Sequence, residues 1–572
     1  MFARIFVVTV IVAAAAAHFG RGYRPKRNSF VVEPGPLVKA TRGGLWPKPQ
    51  QIITTHNYFI VRPGVFQFKV IGKTCNILEE ALNRYKHDLK SQEKMRRFAK
   101  GRNQSEGRKF RFVNESHYKG YLDQLSVDLG TDCELWPHEN MDEHYELILS
   151  PDHSPGKFLL VSQSIWGILR GLETWSQLVY PSIDFHALVV NSSSVTDFPR
   201  FSHRGLLIDT SRHFLPPRII YLTLDAMAMS KMNVLHWHIV DDQSFPFESK
   251  QFPDLSAKGA YSSYHVYTSQ DVQNIIDHAR KRGIRIIPEF DTPGTFILCP
   301  YPAVQKPIGR TYYVCDISRT HSILGGRLPE TPYRMLQWRS SGRYLGSDES
   351  HCKGNIRVCP ANFERNQRDF PGLIHPSRSS NPELRDYMMQ TSTTVKELQG
   401  KYMREIIEQA YNLSAKSIVW QEVFDDGAHL NSDTVVHVWK GNYRSKIKEI
   451  TLKGHKAILS SCWYLDALTS GGDWHEFYQC DPNDFLKEQK LKDLVIGGEA
   501  CMWGEVVDVN NLISRIWPRA CAAAEKLWSP SGPLEIHEAS RRLEEHTCRM
   551  NRRKIPAQPP NGPGFCPGIN YS

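Results

Sequence analysis

The sequence predicts an α/β fold, a (β/α)8 barrel preceded by a smaller α+β domain, and three observations support this. From residue 201 onward, short apolar runs alternate with helical stretches, which is the pattern of a parallel sheet. About eight such repeats are the number that closes a barrel. No glycine-rich phosphate loop follows the first run, so an open nucleotide-binding sheet is disfavoured. The 572 residues exceed one simple core, and their composition (41% hydrophobic, 23% charged) is that of a globular protein.

The predicted barrel occupies residues 200–572. Its strands are predicted at 205–209, 233–240, 284–289, 417–423, 435–439, 457–461 and 495–503. Helical spacing is clearest at 217–232, 269–282 and 395–411. Strands that alternate with helices in this way must run parallel, so their carboxyl ends should meet at one rim.

The predicted accessory domain occupies residues 23–195. Alternating polar and apolar residues predict strands at 66–70 and 145–149, while helical spacing predicts helices at 76–85 and 164–178. The polar run 191–194 is interpreted as the linker to the barrel. This domain shows no catalytic cluster.

Residues 1–22 are predicted to be a signal peptide. Arg4 precedes an apolar run over 5–17 that ends in alanines. This run is shorter than the roughly 20 residues of a membrane span, and no later segment is more apolar. We therefore expect a secreted or lysosomal protein with no membrane span. Acceptor triplets for glycosylation begin at Asn103, Asn114, Asn191, Asn412 and Asn570.

The cysteines and charges point to no metal or nucleic acid. Twelve cysteines permit disulfides, and we predict Cys548 with Cys566 and Cys75 with Cys133. The absence of CxxC spacing argues against structural zinc, and no metal or cofactor is expected. The net charge of +11 is diffuse. Its densest part, 94–109, lacks interleaved aromatics and is interpreted as a solvated loop.

Polar and aromatic side chains follow the predicted strands. They lie at 209–212, 236–242, 289–291, 420–422, 439–440, 463–466 and 499–505. Buried strands need no carboxylates, whereas a pyranose site uses indole faces for the ring and charged acceptors for the hydroxyls. A buried core would explain the tryptophans, but not their shared placement beside acids. The pattern predicts a sugar site at the rim.

Several of these segments also resemble one family. The motifs at 201–213, 233–245, 287–294, 418–422 and 497–505 closely resemble β-N-acetylhexosaminidases of the lysosomal and insect secreted type, which are glycoside hydrolases of family 20. The resemblance implies removal of terminal N-acetylglucosamine or N-acetylgalactosamine from an oligosaccharide or glycoconjugate. It also implies retention of configuration, with the substrate's own acetamido oxygen as the nucleophile. A homodimer is a further expectation from the family.

The resemblance also assigns roles to residues. Arg204, Asp466 and Glu505 should hold sugar hydroxyls, and Tyr464 should donate a hydrogen bond to the acetamido oxygen. Asp241 and Asp291 should belong to a supporting network. The walls of the pocket should be Trp420, Trp439 and Trp503.

The chain departs from the family between residues 295 and 379, where an Asp-Glu pair should end a strand. The adjacent acids in this segment are Asp348 and Glu349, which are the candidates for orienting the acetamido group and for general acid catalysis. Three interpretations remain open. The catalytic strand could be divergent but functional, the chain could be a sugar-binding homologue without activity, or the sequence could be misassembled over this segment.

Overall fold

A computed structural model of the chain describes residues 37–101, 115–150, 158–182, 186–291, 334–338, 382–412, 415–467, 472–532 and 535–567. The predicted signal peptide, Asn103, Asn114 and Asn570 lie outside these residues, as do Asp348 and Glu349.

The amino-terminal domain is a mixed sheet with two helices. Its strands are β1 (Gln51–Val61), β2 (Gln67–Val70), β3 (Tyr118–Leu122), β4 (Gln124–Leu129), β5 (Tyr145–Leu149), β6 (Phe158–Ser162), β7 (Tyr180–Pro181) and β8 (Leu188–Asp197). They pair in the order β2-β4-β6-β5-β8-β1-β3, with β7 added beside β8. The helices are α1 (Asn76–Gly101) and α2 (Ile165–Leu178). This confirms the predicted α+β character.

Two sequence predictions in this domain are wrong in detail. Residues 191–194 are not a linker but the middle of β8, paired with β1 and β5. Their serines are mostly buried against the neighbouring strands, which is why a polar run can form a strand here. Helix α1 continues to Gly101, so part of the basic stretch from residue 94 is helical and not a loop.

The second domain is a closed barrel of eight parallel strands. They are β9 (His203–Asp209), β10 (Val234–Val240), β11 (Arg285–Phe290), β12 (Arg334–Trp338), β13 (Ala415–Trp420), β14 (Val435–Val438), β15 (Lys456–Leu459) and β16 (Val495–Met502). Each strand pairs with the next in chain order, and β16 pairs with β9 to close the barrel. The predicted barrel is confirmed.

The described helices of the barrel domain follow its strands. They are α3 (Pro217–Met229), α4 (Asp254–Gly259), α5 (Ser269–Arg280), α6 (Pro382–Thr391), α7 (Val395–Asn412), α8 (Gln421–Asp425), α9 (Tyr443–Leu452), α10 (Trp474–Gln479), α11 (Gln489–Asp493), α12 (Leu512–Ile516), α13 (Arg519–Trp528) and α14 (Ile536–Arg552). The candidate acceptor Asn412 is the exposed last residue of α7, whereas Asn191 is half-buried in β8.

Sequence reasoning missed one barrel strand, β12. Its five residues, Arg-Met-Leu-Gln-Trp, include no β-branched side chain and no alternation, so they carry little strand signal. The strand lies inside the segment in which no family motif was recognised. The predicted strand at 417–423 is too long, because β13 ends at Trp420 and α8 begins at Gln421.

The two domains pack through α2, all of whose residues are buried. Ser164 caps its amino end by accepting a hydrogen bond from the Trp166 amide. Arg170, on this helix, donates to the carbonyls of Arg282 and Gly283 in the barrel at 3.0 and 2.8 Å. The accessory domain therefore covers the barrel where its helices lead into the strands, opposite the predicted rim.

Three disulfides join described cysteines. The two predicted pairs, Cys75–Cys133 and Cys548–Cys566, are formed, and a third joins Cys462 to Cys480. Cys501 and Cys521 are buried thiols. Among the described helices, none combines the length and the apolarity that a membrane crossing requires.

Candidate active site

Aromatic side chains meet at the carboxyl end of the barrel. Trp420 ends β13, Trp439 follows β14, and Trp503 follows β16. The Trp420 ring lies 6.1 Å from Trp439 and 5.9 Å from Trp503, centroid to centroid. Tyr464 stacks against Trp439 at 6.1 Å and pairs through its backbone with Cys501. Four of the residues predicted to bind the sugar therefore form one cluster.

Trp420 and Trp439 differ in exposure. Trp420 is fully buried, with its ring stacked on His437 at 4.1 Å, while Trp439 is half-buried. The Trp439 Nε1–H donates to both carboxylate oxygens of Glu422, at 3.0 and 2.9 Å. Trp439 is thus held at the rim, and Trp420 packs deeper in the same cluster.

Arg212 lies beside this cluster, between two carboxylates. Its Nη1 donates to Asp209 Oδ2 at 3.0 Å, and its Nη2 lies 2.5 Å from Asp241 Oδ2. The guanidinium stands 5.3 Å from the centroid of the Trp503 ring. Burial acts to lower the pKa of Arg212, but Asp209, Asp241 and exposed Glu505 raise it above its usual value. Arg212 is therefore a fixed cation at the rim.

Below the rim, the barrel interior is charged. Glu289 is fully buried and accepts from Trp420 Nε1 at 2.7 Å. Its other oxygen lies 2.9 Å from His236 Nε2 and 2.6 Å from His238 Nδ1. His238 Nε2 lies 3.0 Å from Asp241 Oδ2, so a continuous series of contacts connects Glu289 to Arg212.

A second buried carboxylate completes this interior. Glu499 contacts His203, His236 and His437 at 3.1, 2.7 and 3.3 Å. Burial acts to lower the pKa of His236, yet Glu499 and Glu289 raise it to about 9. Burial lowers the pKa of His437 to about 3, so this imidazole is neutral.

Of the imidazoles in this interior, His238 has the pKa that is raised the most. Although burial acts to lower its pKa, Glu289 and Asp241 raise it to about 10. In turn, His238 and His236 outweigh burial and hold the pKa of Glu289 well below its usual range. The charged pairs form one layer of the interior, on the rim side of a buried apolar layer made by Val234, Ile287, Ile418, Val435 and Ile458.

Among the described residues, two groups could hold a metal by geometry alone. The ligand atoms of each group lie within 4.8 Å of one another, and the groups are His236, His437 and Glu499, and His238, Asp241 and Asp291. However, His236 and His238 each contact carboxylates through both ring nitrogens, and the Arg212 cation contacts Asp241. These contacts favour ion pairs over a metal site.

Three more of the predicted residues, Asp291, Asp466 and Glu505, also lie at this end of the barrel. Asp291 follows β11 and is buried beside His238 and Asp241. Asp466, which is half-buried, follows β15 and lies close enough to act electrostatically on Cys501. Glu505 lies two residues after Trp503 and acts on Arg212 in the same way.

Arg204 is a correction, because the structure places it at the opposite end of the barrel. It lies near the start of β9, fully buried, and its Nη2 donates to both oxygens of Glu143 at 2.6 and 2.7 Å. Its Nε and Nη1 donate to the carbonyls of Lys231 and Phe201. This side chain is used in domain packing and cannot hold sugar hydroxyls.

Sequence reasoning therefore chose the wrong arginine of one motif. Both Arg204 and Arg212 lie in the segment 201–213, but a parallel strand presents its functional side chains at its carboxyl end. Arg212 comes directly after the strand, and Arg204 near its start. Glu289 and His238 were visible at a strand end, but nothing in the sequence indicated their mutual contacts.

The fold and this rim define a carbohydrate-active barrel enzyme: indoles, a tyrosine, acids and one arginine converge where such barrels perform chemistry. Comparison with known proteins makes the class specific. Residues 201–312 and 340–531 match the glycosyl hydrolase family 20 catalytic domain, and residues 45–178 match a β-acetyl hexosaminidase-like domain.

Full-length relatives agree with the domain matches. The β-hexosaminidase subunit beta of Homo sapiens is 38% identical over 601 residues, which cover 99% of this chain and 95% of the relative. The subunit beta of Mus musculus is 40% identical over 523 residues, covering 90% and 91%. The chain belongs to glycosyl hydrolase family 20 and is an enzyme of the β-hexosaminidase type, whose members remove terminal N-acetylhexosamine by substrate-assisted catalysis.

Solved structures show the same fold. The Flavobacterium johnsoniae chitobiase superposes with a TM-score of 0.69 at 25% identity, over 89% of this chain and 73% of that one. The Vibrio harveyi exo-β-N-acetylglucosaminidase, solved with N-acetylglucosamine, superposes with a TM-score of 0.65 at 18% identity, over 92% and 80%.

The domain match also shortens the segment, 295–379, in which the chain departs from the family. Residues 295–312 and 340–379, in which no motif was recognised, are within the matched catalytic domain, and only 313–339 is not. Asp348 and Glu349 therefore belong to a matched stretch. No observation favours the inactive homologue.

Proposed function

We propose that the rim binds the terminal N-acetylhexosamine through Arg212, Asp241, Asp466 and Glu505 for the hydroxyls, and through Trp439 and Trp503 for the ring. The observation that carries this proposal is the convergence of these groups at one end of the barrel, with Arg212 in contact with both Asp241 and the Trp503 face. Trp420 backs the pocket through its contacts with Trp439 and Trp503.

The chemistry proceeds through the substrate's acetamido group. Its oxygen attacks C1, the glycosidic bond breaks, and Glu349 gives its proton to the leaving oxygen. Asp348 orients the acetamido N–H, and the Tyr464 hydroxyl donates to the acetamido oxygen. Water, deprotonated by Glu349, then attacks C1 and restores the free acetamido group with retained configuration.

The position of the fourth strand supports Asp348 and Glu349. Strand β12 lies between β11 and β13 and runs parallel to both, so its last residue, Trp338, lies at the rim end of the strand. In the sequence, the first acidic residues after Trp338 are Asp348 and Glu349. A general acid needs a raised pKa at neutral pH, and an adjacent carboxylate, as Asp348 is in the sequence, acts in that direction.

The test is hydrolysis of a chromogenic N-acetyl-β-glucosaminide by the full chain and its Glu349→Gln variant. We expect kcat/KM to fall about 10²–10⁴-fold, since general acid catalysis typically contributes that much. Calorimetry should show that N-acetylglucosamine still binds. Glu364→Gln, a change of another acid in the same matched stretch, should retain activity. Full activity of Glu349→Gln would exclude it as the acid, and an inactive wild-type chain would refute the proposal.

The setting of the enzyme is also part of this proposal. We infer a secreted or lysosomal glycoprotein that acts on chitin fragments or glycoconjugate chains and forms a homodimer. The three disulfides among the described residues support an oxidising compartment. The exposed side chain of Asn412 supports glycosylation there. Light scattering of the purified chain tests the homodimer. Peptide mapping before and after deglycosylation tests glycosylation of Asn412.

A further inference from the structure

We propose that Glu289 is a positioning residue, which holds the pocket wall and the sugar-binding arginine in register through two separate sets of contacts. The inference rests on the roles of Trp420 and Arg212 given above and extends them to a residue that does not reach the substrate. The barrel fold alone does not require a carboxylate at the position of Glu289.

Glu289 lies on β11 in the barrel interior, directly opposite His238 of β10. Barrels of this kind fill their interior with branched apolar side chains. A buried carboxylate costs several kcal/mol in desolvation unless charged partners and hydrogen bonds offset it. Here three donors converge on the two oxygens of Glu289, within 2.6–2.9 Å. A group so fully bonded fixes the orientation of each donor.

The first set of contacts reaches the aromatic wall. The Trp420 Nε1–H donates to Glu289 Oε1 at 2.7 Å, while its ring stacks on His437 with an interplanar angle of 14°. The stacking restrains the tilt of the indole ring, and the hydrogen bond restrains its position within the ring plane. Since Trp439 and Trp503 pack on this indole, its position sets theirs.

The second set of contacts reaches Arg212. Glu289 Oε2 contacts His238 Nδ1, His238 Nε2 contacts Asp241 Oδ2, and Asp241 pairs with Arg212. Charge alternates along this path, from the Glu289 anion to imidazolium, carboxylate and guanidinium. Each charged group inside the path is held between two of opposite sign, so the orientation of Arg212 depends on His238 remaining protonated.

Glu289 is the group that both sets share. The other charged or titratable groups facing the two imidazoles are Glu499, His203, His437, Asp209, Asp291 and Arg212. Glu499, the second buried carboxylate, pairs with His203, His236 and His437 on the other side of the interior. It therefore serves as the matched control.

Neutralising Glu289 should act through His238. In the Glu289→Gln variant the imidazole has lost one of its two anions, so its pKa falls towards the ordinary value. A neutral His238 no longer needs to donate to Asp241, and it can accept from Arg212 Nη1, which lies 3.2 Å from its Nε2. Arg212 would then be drawn away from the position it takes between Asp209 and Asp241.

The experiment measures the pH profile of kcat/KM for Glu289→Gln, Glu499→Gln and the wild-type enzyme. We expect Glu289→Gln to lower kcat/KM about 10–100-fold, and to move the loss of activity at high pH to a lower pH by about one unit or more, since one neighbouring anion is removed. N-acetylglucosamine binding should weaken in parallel. Glu499→Gln should reduce thermal stability but retain the wild-type profile. Equal profiles for the wild type and Glu289→Gln would overturn the proposal, as would equal losses in the two variants.

A second measurement keeps the proposal testable if Glu289→Gln folds poorly. The double variant with His238→Gln should lose no more activity per folded molecule than Glu289→Gln alone, because His238 lies on one of the two sets of contacts that Glu289 holds. Additive losses would contradict the proposal. The Glu349→Gln result is independent of these outcomes, so failure of the positioning role and failure of the proposed function can be told apart.

Discussion

The two ends of the barrel hold buried arginines eight residues apart that do different work. Arg204, at the amino end of β9, donates hydrogen bonds to Glu143 and to two backbone carbonyls under the accessory domain. Arg212, just after the same strand, pairs with Asp209 and Asp241 at the rim. An arginine bonded to carboxylates is therefore not by itself a ligand site. Its position along the strand decides whether it serves packing or substrate.

The largest expected effect comes from substitution of Arg204. Arg204→Ala should reduce the free energy of unfolding by about 3–5 kcal/mol, because Glu143 would lose one of its two buried cationic partners. Urea unfolding measures this loss. Activity per folded molecule should stay near the wild-type value. A stable variant without activity would instead return Arg204 to the substrate site.

At the rim the expected effect is on turnover. Arg212→Lys keeps the charge but loses the planar fork that bonds two carboxylates at once. We expect kcat/KM to fall about 10–100-fold, or roughly 1.4–2.7 kcal/mol of transition-state stabilisation. Steady-state kinetics on the chromogenic substrate measures it. Arg218→Lys, on the exposed face of α3, is the control and should have no effect. An unchanged Arg212→Lys enzyme would show that the two arginines do not differ in function.

The smallest expected effect is a dependence of the free energy of unfolding on pH. The pKa values of His236 and His238 are raised to about 9 and about 10, so their contribution to stability is complete below about pH 6.5, the value of an unperturbed imidazole. It is lost progressively as pH rises from there to those values. Between about pH 7 and 7.5 we expect the two imidazoles together to lose roughly 1 kcal/mol, measured by urea unfolding at each pH. His238→Gln should flatten this dependence. A steeper dependence in that variant would contradict the assignment.

Strong local signals let the sequence predict most of the fold. Strand ends at Asp209, Trp420 and Trp439 could be located within a few residues, because apolar runs stop there at polar or aromatic groups. Strand β12 was not predicted, because its short sequence carries no such pattern. The helix α2 was found from its spacing, and its Ser164 cap marks where it begins.

The site was predictable as a set of residues but not as a network. Trp420, Trp439, Tyr464 and Trp503 were expected at one rim, and the structure brings them together. The contacts of Glu289 join residues 51–131 positions apart, and no periodicity in one chain encodes such pairs. The same holds for Arg204, whose carboxylate partner Glu143 lies in the other domain.

The third disulfide has a consequence for where this enzyme can work. Cys462 and Cys480 close the stretch of chain that carries Tyr464 and Asp466, whereas the barrel strands themselves are held by their ladder of backbone hydrogen bonds. We expect reduction of this bond to loosen the stretch that carries these two rim side chains, while the strands remain paired. Sugar binding would then depend on the redox state of the surroundings, and in a thiol-rich medium we expect affinity to fall before the barrel unfolds.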